Sequence, residues 1–298
     1  MTRTIMQFPE ENKKLNHYCR VYILLASHAD KAVILRNGPS EWTQMVVWNT
    51  ATDNFEYGQW IKGGLKVRQC DLSPKGKHLI YFVQKYHAED PAYTTFTAIS
   101  KPPNFTALTL WPLGDSWHGG GFFISDTELW LNHPADKKQA DPRHPNTKFT
   151  LVALPEIYKH HIKNYEPFID FYRRVRDGWS IHGTFEAPEG AGNWEFKYPT
   201  CERKHPTQHY TLIVTVLSTL KEFIQEFYLK DTQTNEQFLL TDVSWADFDH
   251  AGRLIMVRYG MILAGDLSQK LLSAQVLVDL NSQKPVVTDS DKITTCRE

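Results

Sequence analysis

The chain has 298 residues, 41% of them apolar and 13% aromatic, enough to bury one large core or several small ones. Its 33 Lys and Arg against 34 Asp and Glu leave a formal charge of −1, without the cationic footprint that duplex nucleic acid demands. No run of about 18 apolar residues occurs, so no membrane span is expected.

Residues 1–18 read as a flexible segment or as one that closes a ring. They contain no apolar core of signal-peptide length. Cys19, Cys70, Cys201 and Cys296 are far apart and form no CxxC pair, so they read as free thiols. The expected location is the cytoplasm, with no cofactor.

From residue 20 onward the chain becomes short apolar runs separated by Asn, Asp, Gly, Pro and Ser clusters, the pattern of strands and turns. RVYILLA (20–26) and KAVILR (31–36) flank SHAD. MVVWN (45–49) and FEYGQW (55–60) flank TATDN. TFTAIS (95–100) and ALTLW (107–111) flank KPPNF. Each short connector predicts antiparallel neighbours. GGFFISDTELWLN (120–132) repeats the pattern around Ser125 to Thr127. Residues 155–177 predict an elaborated, partly helical connection. Pro155 suits a first turn, and Ile162 with Tyr165, then Phe168 with Phe171 and Tyr172, have helical spacing; Pro167 interrupts any single long helix. IHGTFEAPEGAGNWEFKY (181–198) predicts a hairpin turning between Pro188 and Gly192, and VLVDLNSQKPVV (276–287) an outer hairpin.

Two stretches repeat. Residues 46–82 and 227–257 each carry an apolar strand, a polar turn and a second short strand. Each ends in Asp, an apolar residue, a turn with Gly, a base and an apolar strand. Asp71, Leu72, Gly76 and Lys77 answer to Asp247, Phe248, Gly252 and Arg253. Related turns fall near residues 30, 75, 126, 190 and 251. That spacing suits propeller blades of four strands, which run to about 40–50 residues.

LSPKGKHLIYF (72–82) and WADFDHAGRLIMV (245–257) resemble the strand–turn–strand element of WD-repeat and related bacterial β-propellers. The resemblance implies a propeller over most of the chain and no particular activity. The expected architecture is a single all-β domain over residues 1–298. It has five blades of four antiparallel strands, with six blades as the alternative.

Candidate chemistry is sparse. Asp71, Asp126 and Asp247 are candidate acid–base carboxylates if they converge on a central funnel, as in glycan-cleaving propellers. Asp before a turn is equally suited to bond local backbone N–H groups, and its repetition favours that role. WPLGDSWHGGGFF (111–123) offers Trp111, Trp117 and His118 as flat ligand surfaces and Gly119, Gly120 and Gly121 for close approach. A tight inter-blade crossing explains the same residues. His133, Asp136, Asp141 and His144 supply metal-ligand types at a spacing that matches no recognised motif, and adjacent His160 and His161 do not face one way on a helix. Arg173, Arg174 and Arg176 read as a solvated face or as a dock for an acidic partner.

The expectation is therefore a non-catalytic binding or scaffold propeller whose partner is a protein or a small ligand at its face. A glycan hydrolase is the alternative, and a metal-dependent lyase or lactonase is a weaker one.

Overall fold

The structure is a computed structural model that describes residues 4–5, 18–38, 41–85, 88, 90–158, 169–184, 196–218, 223–267 and 273–285. It is an all-β propeller of five blades, with one α-helix among the described residues. Blade 1 runs outward through Arg20–Leu25, Lys31–Asn37, Trp42–Asn49 and Asn54–Lys62. Blade 2 runs through Asp71–Leu72, Leu79–Gln84, Thr95–Ser100 and Ala107–Pro112. Gly64–Leu65 shares its innermost position, pairing with the far end of Leu79–Gln84. Blade 3 comprises Gly121–Phe123, Glu128–Leu131 and, in parallel, Thr150–Leu151.

Blade 4 is built on Thr200–Lys204, Tyr210–Ser218, Phe223–Asp231 and Gln237–Leu239. Ser180–His182 adds an extra strand inside Thr200–Lys204, and Phe196–Lys197 pairs with the far end of Tyr210–Ser218. Blade 5 runs through Val243–Phe248, Leu254–Arg258, Met261–Asp266 and Ser273–Asp279.

The apolar runs follow from this layout. A second strand such as Lys31–Asn37 or Leu254–Arg258 is sandwiched between neighbouring blades and buried on both faces. It is therefore apolar at successive positions instead of alternating. Leu24, Val33 and Leu35 meet Leu72, Leu79 and Tyr81 between blades 1 and 2. Ile80 and Trp111 meet Phe123 and Leu131 between blades 2 and 3. Leu212 and Val214 meet Phe248 and Met256 between blades 4 and 5, and Ile34 and Trp48 meet Trp245 and Ile255 between blades 5 and 1.

The gap between blades 3 and 4 is filled differently. The helix α1, Ile169–Arg176, packs Ile169 and Tyr172 on Phe122 and Trp130 of blade 3. Phe171 and the following Trp179 join the core of blades 4 and 5. The connection expected near 155–177 thus supplies a wedge. Residues 159–168, including Ile162, Tyr165, Pro167 and Phe168 of the expected helical pattern and His160 and His161, lie outside the described residues.

The repeated turns clasp neighbouring blades. Lys75 N–H donates to Asp126 Oδ1 (2.9 Å), joining the turns of blades 2 and 3. His28 N–H donates to Pro74 O (2.8 Å), joining blades 1 and 2. His250 lies 3.2 Å from Ser27 O and 3.3 Å from Asp30, joining blades 5 and 1. His205 Nε2 lies 2.7 Å from Gly252 O, joining blades 4 and 5. Gly76 (φ 67°) and Gly252 (φ 80°) occupy matching places, as the repeat implies.

Blade 4 departs from the expected repeat. Its member of this turn set is residues 205–209, between Thr200–Lys204 and Tyr210–Ser218. The turn expected near 190 falls in residues 185–195, outside the described residues, and the strand paired with Ser180–His182 is Thr200–Lys204. The Gly and Pro of 188–192 gave the stronger turn signal, whereas HPTQH contains no glycine.

Blades 1 and 5 are each built from consecutive strands, so side chains close the ring. Arg253 Nη1 reaches Asp53 Oδ2 (2.7 Å) and its Nη2 reaches Thr50 O (2.7 Å). Arg36 Nε donates to Leu280 O (3.0 Å). Thr4–Ile5 pairs with Gln237–Leu239 at the rim of blade 4, away from this closure. Residues 6–17 and 286–298 lie outside the described residues.

Candidate functional site

The innermost strands surround α1, so the arginines of that helix meet the propeller axis. Asp177 N–H bonds Arg173 O (2.9 Å), Gly178 adopts φ 86°, and Trp179 N–H returns to Arg174 O (2.9 Å). This Schellman turn ends the helix and folds Trp179 back under it. The Arg174 guanidinium then lies 4.6 Å from the Trp179 ring centre.

Each arginine has a different situation. Arg173 donates to Cys70 O (2.8 Å) and to Tyr22 OH (2.6 Å). Arg176 grips Asp71 Oδ2 (2.6 Å) and Oδ1 (3.1 Å), Phe123 O (2.9 Å) and Asp177 Oδ1 (2.8 Å). Arg174 is only 9% exposed, yet among the described residues no hydrogen bond or ion pair engages its guanidinium. Solvation does not explain this trio: burial of their alkyl stems and heads is what joins the helix to the blades.

A pocket of about 100 Å³ opens beside α1, walled by blades 1, 4 and 5. Arg173, Arg174, Arg203, Asp177 and Asp247 line it, with Trp179, Trp245, Ile23, Leu25 and Phe248 as apolar walls. Arg203 pairs with Asp247, which also accepts from Phe248 N–H (2.7 Å). Burial pushes the Asp247 carboxyl above its ordinary range, and Arg203 pulls against that shift. Asp71 is likewise pushed up by burial and pulled down by Arg176 and Arg173.

Strand register explains why the two aspartates do not form a matched ring. The second pair from the repeated turn is Leu24↔Val33, Asp71↔Ile80, Phe122↔Trp130, Arg203↔Leu212 and Asp247↔Ile255 in blades 1 to 5. One position thus carries Leu, Asp, Phe, Arg and Asp. Asp71 faces Arg176 and Phe123 N–H (2.8 Å), while Asp247 reaches the pocket beside Arg203. Asp126 lies away from the axis, in the clasp with Lys75. Arg203 carried no local signal, and Arg174 was expected on a solvated or partner-docking face; aligning TCERKHPTQHY (200–210) with CDLSPKGKHL on their prolines puts Arg203 opposite Asp71.

The Trp- and Gly-rich stretch is divided. Trp111 is fully buried between blades 2 and 3 and offers no face to a ligand, correcting its expected role. A Cβ at Gly119 would lie 2.2 Å from the Phe82 ring, at Gly120 2.2 Å from Gln69 O, and at Gly121 2.4 Å from Trp130 O. Gly119 and Gly120 approach blade 2, and Gly121 approaches the paired strand of its own blade. Trp117 is 80% exposed, and Asp115 Oδ1 accepts from the backbone N–H of Trp117 (2.9 Å) and His118 (3.1 Å), shaping a surface loop apart from the axial pocket.

The metal-ligand candidates are also separated. Asp136 is exposed, and Asp141 is held by Arg143 (2.9 Å) and Tyr93, which keep its carboxyl well below the usual range. His144 donates its backbone N–H to Asp141 O (2.9 Å). Among the described residues no three His, Cys, Asp or Glu side chains converge to hold a metal.

His133 instead forms a relay. Its Nδ1 lies 3.0 Å from Lys137 O and its Nε2 2.8 Å from Thr97 Oγ1, which accepts from Gly120 N–H (2.8 Å). A carbonyl partner makes Nδ1 the donor, so Nε2 accepts from the threonine. Burial lowers its pKa to about 4. In the unfolded chain it protonates near pH 6.5. The unfolded state therefore binds the extra proton between these values, and stability falls as pH drops from about 6.5 to about 4. The expected loss from this one group is about 2–4 kcal/mol. Urea unfolding across that range should show a shallower decline in His133→Gln than in the parent. Parallel curves would exclude the relay as the cause.

No family model matches the chain, and no curated protein matches it significantly. Among solved structures, it is similar to a chain of Kuenenia stuttgartiensis hydrazine synthase at TM-score 0.36 and 9% identity, covering 87% of this chain and 81% of that one. Neither activity nor partners follow from a likeness at that level. The propeller rests on the strand pairing itself.

Proposed function

We propose that the protein is a non-catalytic binding propeller whose recognition site is the axial pocket beside α1. The observation that carries this reading is the commitment of the axial carboxylates. Asp71 is gripped by Arg176, and Asp247 by Arg203. A glycosidase needs one carboxyl free to donate a proton and a second free to attack or activate water, at a defined separation. Concave sites with apolar walls and a few convergent polar groups suit ligand binding instead. The free thiols of Cys19, Cys70 and Cys201 fit a reducing compartment such as the cytoplasm.

One observation favours the hydrolase alternative. Asp247 lines the pocket, and its carboxyl is raised by burial in the direction a general acid requires. A panel of aryl glycosides and oligosaccharides decides between the readings. The expected result is no turnover above buffer. Turnover that disappears in Asp247→Asn would overturn the binding reading.

A further inference from the structure

We infer that the axial pocket takes a carboxylate carried on a short apolar stem, with Arg174 as the residue that receives it. This rests on the pocket being a recognition site and adds the chemistry of its ligand. Arg174 is nine-tenths buried and lines the pocket, and its contact among the described residues is the Trp179 ring. Stacking on that ring uses none of its N–H donors, and no acceptor among the described residues takes them, so they remain for a ligand in the pocket. Five N–H donors in a planar fork match a carboxylate. Ser27, from blade 1, lines the same pocket, and its Oγ is buried without a hydrogen-bond partner.

Charge and shape narrow the ligand. Arg173, Arg174 and Arg203 face Asp177 and Asp247 in this pocket, an excess of one positive charge. A single negative charge is balanced there, whereas a phosphate dianion would meet two nearby carboxylates. Ile23, Leu25, Trp245 and Phe248 form a wall suited to a few methylenes. The cavity of about 100 Å³ is somewhat smaller than the roughly 150 Å³ that holds a benzene, which suits an acid head and a short stem. The same chemistry is presented by a free small acid and by a peptide ending in an apolar residue.

Calorimetry on the full chain at low salt tests this, using butyrate, butyramide, inorganic phosphate and acetyl-Gly-Val. Butyrate or the peptide should bind at least tenfold more tightly than the amide or phosphate. The tighter of the two identifies the source. Arg174→Gln should weaken that binding by about ten- to a hundredfold, the effect of losing a charge-assisted pair. Arg174→Lys should recover part of it, and Ser27→Ala should weaken it a few-fold. Thermal unfolding of each variant without ligand separates a folding defect from lost recognition. Equal affinity for butyrate and butyramide, or unchanged binding by Arg174→Gln, would overturn the carboxylate assignment. So would the absence of binding by both acids. Amide binding that a pocket-filling Ser27→Trp variant abolishes would overturn the assignment while leaving the binding reading intact. Glycoside turnover would remove the binding reading itself.

Discussion

Replacing Arg176 with alanine should cost about 3–5 kcal/mol of folding stability, the usual penalty for stranding one partner of a buried ion pair. Asp71 is fully buried and Arg176 side-chain exposure is 9%. Arg176 also holds Phe123 O and Asp177, so its loss unpins α1 from blades 2 and 3 together. The pH dependence gives an independent reading. Burial pushes the Asp71 carboxyl up, and in the variant the guanidinium that opposes this shift is gone. A folded-state pKa above the unfolded value near 3.9 means that the folded variant binds the extra proton. Its relative stability is therefore greatest in acid and declines as pH rises through the folded-state value. The deficit of Arg176→Ala should shrink on acidification, and adding Asp71→Asn should recover part of it at neutral pH. Chemical denaturation checks both. A deficit below about 1 kcal/mol, or one indifferent to Asp71→Asn, would refute the buried-pair account.

Gly120→Ala should be comparably damaging, at about 3–5 kcal/mol, for steric reasons alone. Gly120 has φ 75°, where an L side chain is strained. Its new Cβ would sit 2.2 Å from Gln69 O and 2.9 Å from Ile169 Cδ1. The first contact is backbone and cannot swing away, and the second is on α1. Relief would require moving blade 3 away from the broken inner strand of blade 2. That movement would also break the Gly120 N–H bond to Thr97 Oγ1 and disturb the His133 relay. The urea midpoint should fall sharply, with little change in slope if the variant stays two-state. A midpoint matching the parent would show that the crossing has slack.

These two sites mark different limits of the sequence. The glycine run at 119–121 was legible as a place of close approach, but not what approaches: Phe82, Gln69 and Trp130 come from two different blades. The arginines of FYRRVRD read as a solvated face because charged residues at such density usually are. Arg176 is buried because Asp71, 105 residues away, waits for it, and Arg173 because Cys70 O and Tyr22 OH do. Local composition carries no information about a partner so distant in the chain.

The amino-acid pattern alone determined the strands and hairpins of blades 1 to 3 at 20–36, 45–60, 95–111 and 120–132, and four of the five clasping turns. Continuous apolar runs between polar turns dictate doubly buried strands, and a repeat that cannot bury both faces alone must stack against its neighbours. It also located an irregular insertion between blades 3 and 4. Tertiary structure alone decided that this insertion is a wedge, that the fifth turn is HPTQH, and that the ring closes through Arg253 and Arg36. It alone set Arg174 on the Trp179 ring beside a pocket, with no hydrogen-bond partner for its guanidinium among the described residues. The physical reason is the range of the interactions. Hydrophobic periodicity and turn chemistry act over a few residues, whereas pairing of buried charge acts between whichever groups the folded ring brings together.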